Sequence, residues 1–288
     1  MNKRRILGVT FIALGISLGF FQALLIGIAA PKGYWLIHEG QFYAINYGII
    51  LFLVIAGAVI FTAGYLKWSL LLVGIVLLTA NTTFFYYMGD VNLLIAESED
   101  GEHEVVIKEY PKMKKETVRL KRRGIFFGRE DSVLAGSSEY KALEEERYKI
   151  EWSAGDIAEL TYETGYDGAL NHQIYNFRSS DYISYQNVIV SLIGKWMEQG
   201  NPQNYFMSDN NELVYAKDGQ LYYYNIQNTE QFGIYSVVVL GDETKPTLSI
   251  ILNPGTEFGD DGLIAEGGTI TITPVDLGET ESAVYERE

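Results

Sequence analysis

Cysteine is absent from all 288 residues, and histidine occurs only three times, as His38, His103 and His172. The first absence excludes thiol catalysis, thiolate metal sites and disulfide staples, so an exported domain of this chain must be held by its core. The second leaves no pair of histidines at metal-ligand spacing. No Gly-x-Ser-x-Gly nucleophile motif stands near His103 or His172, and no phosphate-cradling glycine loop is present. A triad assembled only in the fold leaves no trace in a sequence; no catalytic residue, cofactor or metal ion is expected.

Charge is missing too, in long runs. Three stretches without Asp, Glu, Lys or Arg cover residues 6–31, 40–66 and 68–89, with 26, 27 and 22 residues. About 20 apolar residues suffice for a helix to cross a bilayer core of ~30 Å, so three spans are expected at 6–30, 43–66 and 68–88. Ionisable groups inside a membrane mark ion paths and proton relays, and their absence argues against a pump or transporter acting alone. Gln22, Asn46, Asn81, Thr82 and Thr83 remain as polar groups able to bond between helices. Gly15 and Gly19 form a GxxxG spacing that allows close helix approach, with the second span as the expected neighbour.

Basic residues near short loops set orientation. Lys3, Arg4 and Arg5 precede the first span and Lys67 separates the second from the third, which places both points on the cytoplasmic side. The remainder of the chain is then extracytoplasmic, at the cell membrane of a multi-pass protein. The first run also has a basic start and small residues at Gly27, Ala29 and Ala30, as a cleaved signal would. Its apolar length exceeds the roughly 7–15 residues of a signal core, and with or without cleavage the domain emerges on the outside. The basic cluster beginning at Lys112 lies more than ~20 residues past the third span, where the orientation rule weakens.

From Asp90 onward there are 17 basic and 36 acidic residues, a formal charge of −19. Such a surface disfavours nucleic acid and favours solubility. Alternating runs at 104–110, 117–121, 124–127, 148–152 and 158–162 read as strands of a small antiparallel β domain over 89–187. In the third-span-proximal part of this domain Arg119, Lys121, Arg122 and Arg123 form a basic patch. It is either a charged edge that blocks strand pairing or a contact for anionic headgroups or envelope polymers.

A short helix or turn is expected within 185–193, followed by strand-like runs at 204–208, 212–216, 220–226, 233–240, 247–252, 269–274 and 282–287. Hairpin turns separate them at 209–211, 217–219 and 241–244. Regular spacing of short strands points to an up-and-down barrel over 188–288. Gly194-Lys-Trp196 on the first strand, the meander of about 100 residues and Arg287 at the end of the last strand resemble the lipocalin-like (calycin) barrels. That resemblance implies that Trp196 closes the barrel base and that Arg287 packs over it. Consecutive tyrosines at 222–224 must point to both faces of a strand, which leaves one as a contact for a partner or sugar. Glu257, Asp260, Asp261 and Glu266 crowd a glycine-rich loop but lack ordered calcium-loop spacing, so an exposed acidic turn is expected.

The fold expected is therefore a three-helix transmembrane anchor over residues 1–88 followed by an all-β extracytoplasmic region. The function expected is non-catalytic binding of an envelope protein, a wall polymer or a small ligand. A membrane-associated hydrolase using Asp or Glu, and an accessory or immunity-type subunit, stand as alternatives. Protease added to intact, wall-stripped cells should digest the chain past Asp90; protection of that part would overturn the outside placement.

Overall fold

A computed structural model describes residues 3–153, 155–178, 186–209, 211–259, 261–278 and 280–288. The chain divides into two compact units, Met1–Ile95 with Val105–Glu145, and Ala96–Glu104 with Glu146–Glu288. Strands expected together over 89–187 are thus shared between the two.

In the first unit, α1 (Lys3–Leu24) continues through a π turn, Leu25–Ala29, and a 3-10 turn, Ala30–Lys32. β1 (Tyr34–Leu36) follows, then α2 (Gly40–Ile60) and α3 (Gly64–Met88). These three helices are long and apolar enough to cross a membrane. Without a hydrophobic drive between helices in lipid, close backbone approach and polar bonds must hold them. Both are present. A Cβ on Gly8 would fall 2.4 Å from Ile60 Cγ1, and one on Gly57 would fall 2.1 Å from Leu70 Cδ2. Gly15 lies against Leu53 of α2, whereas nothing approaches Gly19, so the GxxxG pair does not act as one contact. An amide ladder crosses all three helices: Gln22 Nε2 donates to Asn46 Oδ1 at 2.6 Å, Asn46 Nδ2 to Asn81 Oδ1 at 3.0 Å, and Asn81 Nδ2 to the Tyr43 carbonyl at 3.3 Å. Lys67 does not make the turn between α2 and α3. Phe61, with ψ 136°, leaves helical conformation first, and Lys67 falls in the opening turn of α3, where its long stem lets the amine reach the membrane surface.

After α3 come β2 (Asn92–Glu97), β3 (Glu104–Glu109), β4 (Val118–Arg123) and β5 (Phe127–Val133). They form a five-stranded sheet of order β1-β5-β4-β3-β2, so the loop between two membrane helices supplies an edge strand. Gly124–Phe126, expected as part of a strand, is instead the β4–β5 turn, with Gly124 at φ 80°. Val106, Val118, Leu120 and Ile37 form the small core, with Trp35, Leu93 and Ile95 against it. The buried Glu109 carboxylate accepts the backbone N–H groups of Leu143 and Glu144, at 3.2 and 2.9 Å, and pins the segment after β5.

The second unit begins with a three-stranded sheet, β6 (Tyr148–Ser153), β7 (Ile157–Glu163) and β8 (Leu170–Asn176). One helical turn, α4 (Val188–Ser191), is capped by the Asn187 side chain. The part of the expected helix at Tyr185 lies outside the described residues. Nine strands follow: β9 (Gly194–Glu198), β10 (Asn201–Ser208), β11 (Glu212–Lys217), β12 (Gln220–Asn225), β13 (Thr229–Phe232), β14 (Ser236–Val239), β15 (Leu248–Leu252), β16 (Thr269–Pro274) and β17 (Ala283–Arg287). At the β11–β12 hairpin, Asp218 and Gly219 both have positive φ and Lys217 pairs with Gln220, the two-residue turn that Asp-Gly favours.

These nine strands curl into a half-barrel, not the closed barrel expected. Their order is β12-β11-β10-β9-β17-β16-β15-β14-β13, all antiparallel, with first strand β9 paired to last strand β17 and a seam between the consecutive β12 and β13. The concave side is filled by Trp196, Phe206, Tyr215, Tyr224, Ile250 and Tyr285 among others. β14 and β15 are buried along their whole lengths, because Val237 and Ile250 face this core while Val238 and Ile251 pack on Ile157 and Ile174 of the three-stranded sheet. Strands covered on both faces are drawn toward the second layer, which is a physical reason for the seam beside β13.

Between these layers lies a buried acid. Glu159 on β7 accepts from Ser153 Oγ at 2.5 Å, and His172 Nε2 on β8 stands 3.4 Å from its other oxygen. His172 is held on β8 with Nδ1 2.9 Å from Thr161 Oγ1. Burial opposes the Glu159 charge, but His172 and the Ser153 hydroxyl outweigh it and hold the carboxyl below its ordinary pKa. The stability it supplies is therefore present above the unfolded value of ~4.3 and is lost as pH falls through the lowered folded value. Glu159→Ala strands His172 and Ser153 in the interface, which should cost about 3–5 kcal/mol in chemical unfolding and flatten the acid limb of the stability profile. Wild-type stability in the variant would contradict this role.

Candidate functional site

A predominantly apolar cavity of about 470 Å³ lies in the first unit, where the ends of the three helices meet the five-stranded sheet. Its walls come from Leu25 and Ile26 in the π turn, Phe42 and Tyr43 on α2, Phe84 and Met88 on α3, and Met113 and Phe127 from the sheet side. The π turn widens α1 at this level, a distortion common at functional positions. Asn46 and Asn81 lie at the helical end of the cavity, with their hydrogen-bonding groups engaged in the amide ladder. Tyr34, Trp35, Leu36 and Glu39 border it on the chain between α1 and α2.

One ion pair fixes this rim. Lys108 on β3 is fully buried, pairs with the Glu39 carboxylate and donates to the Leu36 carbonyl at 2.9 Å. An isolated buried ammonium would be prohibitively costly, so Lys108 ties β3 to the start of α2. Above it, Lys115 Nζ sits 4.3 Å from the Trp35 ring centre and 4.1 Å from that of Tyr110. Burial, with the neighbouring Lys108 charge, pushes the Lys115 amine below its ordinary pKa. Burial pushes the Tyr110 phenol upward, as do the carboxylates of Glu39 and Glu130, so it stays protonated. Trp35 Nε1 donates to Glu130 Oε2 at 3.2 Å and is oriented by it.

The Glu39 carboxylate is held by the Lys108 ammonium, and no hydroxyl or imidazole among the described residues donates a hydrogen bond to it. Apolar side chains make the walls, and Glu39 and Trp35 bring polar groups to the rim.

Residues singled out in the sequence lie elsewhere. On β4, Val118 and Leu120 face the core while Lys121 and Arg123 are exposed. Arg119 is set apart from them by an irregularity in the β4–β5 register and pairs with Asp131 at 2.6 Å. In the second unit, Trp196 is fully buried with Nε1 bonded to the Leu192 carbonyl at 2.8 Å. Arg287 stands opposite it across β9 and β17 and donates to the Ile193 carbonyl at 3.0 Å. Of the three tyrosines, Tyr224 is buried and Tyr223 is 55% exposed. In the acidic loop Asp261 accepts from the Leu263 N–H, and Asp260 lies outside the described residues. His103 stacks on Phe177 at 5.0 Å. A more polar groove of about 640 Å³ runs beside β8, but His172, its imidazole, is turned toward Thr161 and Glu159.

Sequence reasoning missed Glu39, Lys108 and Lys115. One signal was available, since Glu39 is the only acidic residue before Asp90 and directly precedes a long apolar run. No protein-family model matches the chain, and no curated protein or solved structure matches it either.

Lys108→Met leaves the Glu39 carboxylate without its partner. As Glu39 keeps a quarter of its side chain in solvent, the loss in thermal stability of the detergent-solubilised protein should be nearer ~3 than ~5 kcal/mol. Adding Glu39→Gln should recover most of it. Additive losses in the double variant would contradict the pairing.

Proposed function

We propose that this chain is a multi-pass membrane protein of the cell envelope that acts as a non-catalytic binding module, and that its cavity in the membrane unit takes a lipid-like amphiphile. The observation that carries this reading is an apolar cavity with a polar rim, positioned where three membrane-type helices end. A ligand with one apolar chain and a small hydrogen-bonding head satisfies both parts.

The basic residues that flank the spans, Lys3, Arg4, Arg5 and Lys67, support an exported arrangement with the amino terminus in the cytoplasm. The first unit carries 15 basic and nine acidic residues, net +6, and the second seven basic and 28 acidic, net −21, which together make the −15 of the chain. In this reading the first unit faces lipid, and the acidic second unit meets a protein partner or wall polymer. The hydrolase-type alternative is less well supported, because prominent carboxylates are engaged: Glu39 by Lys108, Glu159 by Ser153, and Glu198 by Lys217 at 2.7 Å.

Native mass spectrometry of the full-length protein extracted in mild detergent should show a co-purifying amphiphile. Ala30→Trp, which places an indole at the cavity wall, should release it while leaving thermal stability near wild type. Bare protein from native membranes, or retention unchanged by Ala30→Trp, would count against the cavity as the binding site.

A further inference from the structure

The turn joining β4 and β5 exposes two large apolar side chains side by side, Ile125 at 77% and Phe126 at 54%. Basic residues surround them: Lys121 and Arg123 are exposed at the end of β4, Arg122 lies between them, and Arg129 follows on β5. The two acidic residues of β5 point their charge away from the tip, Glu130 toward Trp35 and Asp131 toward Arg119. Isolated exposed apolar residues are ordinary, but a paired apolar tip ringed by cations has the chemistry of an interface-inserting wedge.

Its position is fixed by backbone bonds. β5 pairs with β1, with Trp35 opposite Gly128 and Leu36 opposite Phe127, and the Ile37 N–H donates to the Phe126 carbonyl at 2.9 Å. The tip is thereby held beside the chain three residues before α2 begins. Tyr34 and Trp35, on the same short strand, are residues of the kind that settle at headgroup level, and the Arg129 guanidinium lies 5.9 Å from the Tyr34 ring.

We propose that this hairpin tip seats in the headgroup layer of the protein's own membrane, with Ile125 and Phe126 inserted at the acyl boundary and Lys121, Arg122 and Arg123 on anionic lipid phosphates. The occupant is lipid, because the tip is tethered to two membrane helices and its charge complements anionic headgroups. This inference stands apart from the cavity, and emptying the cavity leaves it intact.

Because the chain has no cysteine, Ile125→Cys gives a single position for an environment-sensitive fluorophore on the full-length protein in lipid nanodiscs. In discs containing anionic phosphatidylglycerol the label should emit further to the blue, resist aqueous iodide and be quenched by nitroxide-bearing lipid, more than in zwitterionic discs. Lys121→Gln with Arg123→Gln should lower the embedded fraction relative to the exposed one by roughly fivefold per side chain, as for ~1 kcal/mol per basic residue at an anionic surface. Iodide access equal in both discs would overturn the proposal. So would protection from both quenchers, the outcome expected if a protein surface covered the tip, and so would lipid quenching independent of headgroup charge.

Discussion

The ion pair of Lys108 with Glu39 is the contact on which the membrane unit depends. It joins β3, one strand in from the sheet edge, to the residue before α2, and its Lys108 end is fully buried, so that charge cannot be left alone without a large penalty. Its second bond, to the Leu36 carbonyl, holds the short β1 strand in place. With β1 fixed against β5, the sheet becomes a continuation of the helix bundle. The cavity lies where these two layers meet at their ends, beside the π turn that widens α1.

The helices carry more specification than an inert anchor requires. Their amide ladder uses both functional groups of Asn46 and of Asn81, so in lipid, where no water can substitute, one relative arrangement of the three helices is favoured. That ladder ends at the cavity. For the amphiphile proposed above, a bundle fixed in register at the cavity would be a preformed wall, and preformation reduces the ordering cost of binding.

Much of this fold was legible. Uncharged runs gave three long apolar helices, Asp218-Gly219 gave its hairpin, and alternation gave the positions of most strands. Helix ends were less legible, since Lys67 reads as a break whereas a lysine tolerates the first turn of a membrane helix. The half-barrel was read as closed because a meander with spaced strands has the same sequence signature in either form. Whether it closes depends on burial of the outer faces of β14 and β15 by another sheet, which no local pattern encodes. The site was least legible of all. Tyr34-Trp35-Leu36 is an edge strand of three residues, too short for alternation to mark it. Lys108 and Glu109, adjacent on β3, are both buried because chain covers both faces of that strand, whereas two-residue alternation assigns one of them to solvent. The basic run at 119–123 was visible, but its meaning changed once Ile125 and Phe126 proved to be the turn beyond it.

The central claim, that the membrane unit encloses a site for a lipid-like amphiphile, is tested most directly by electron cryomicroscopy of the full-length protein in nanodiscs of native lipid. Elongated non-protein density between α1, α2 and α3, with its polar end at Glu39 and Trp35, is the result expected. Met113 and Phe127 collapsed onto the helices, with no space left between them, would contradict it.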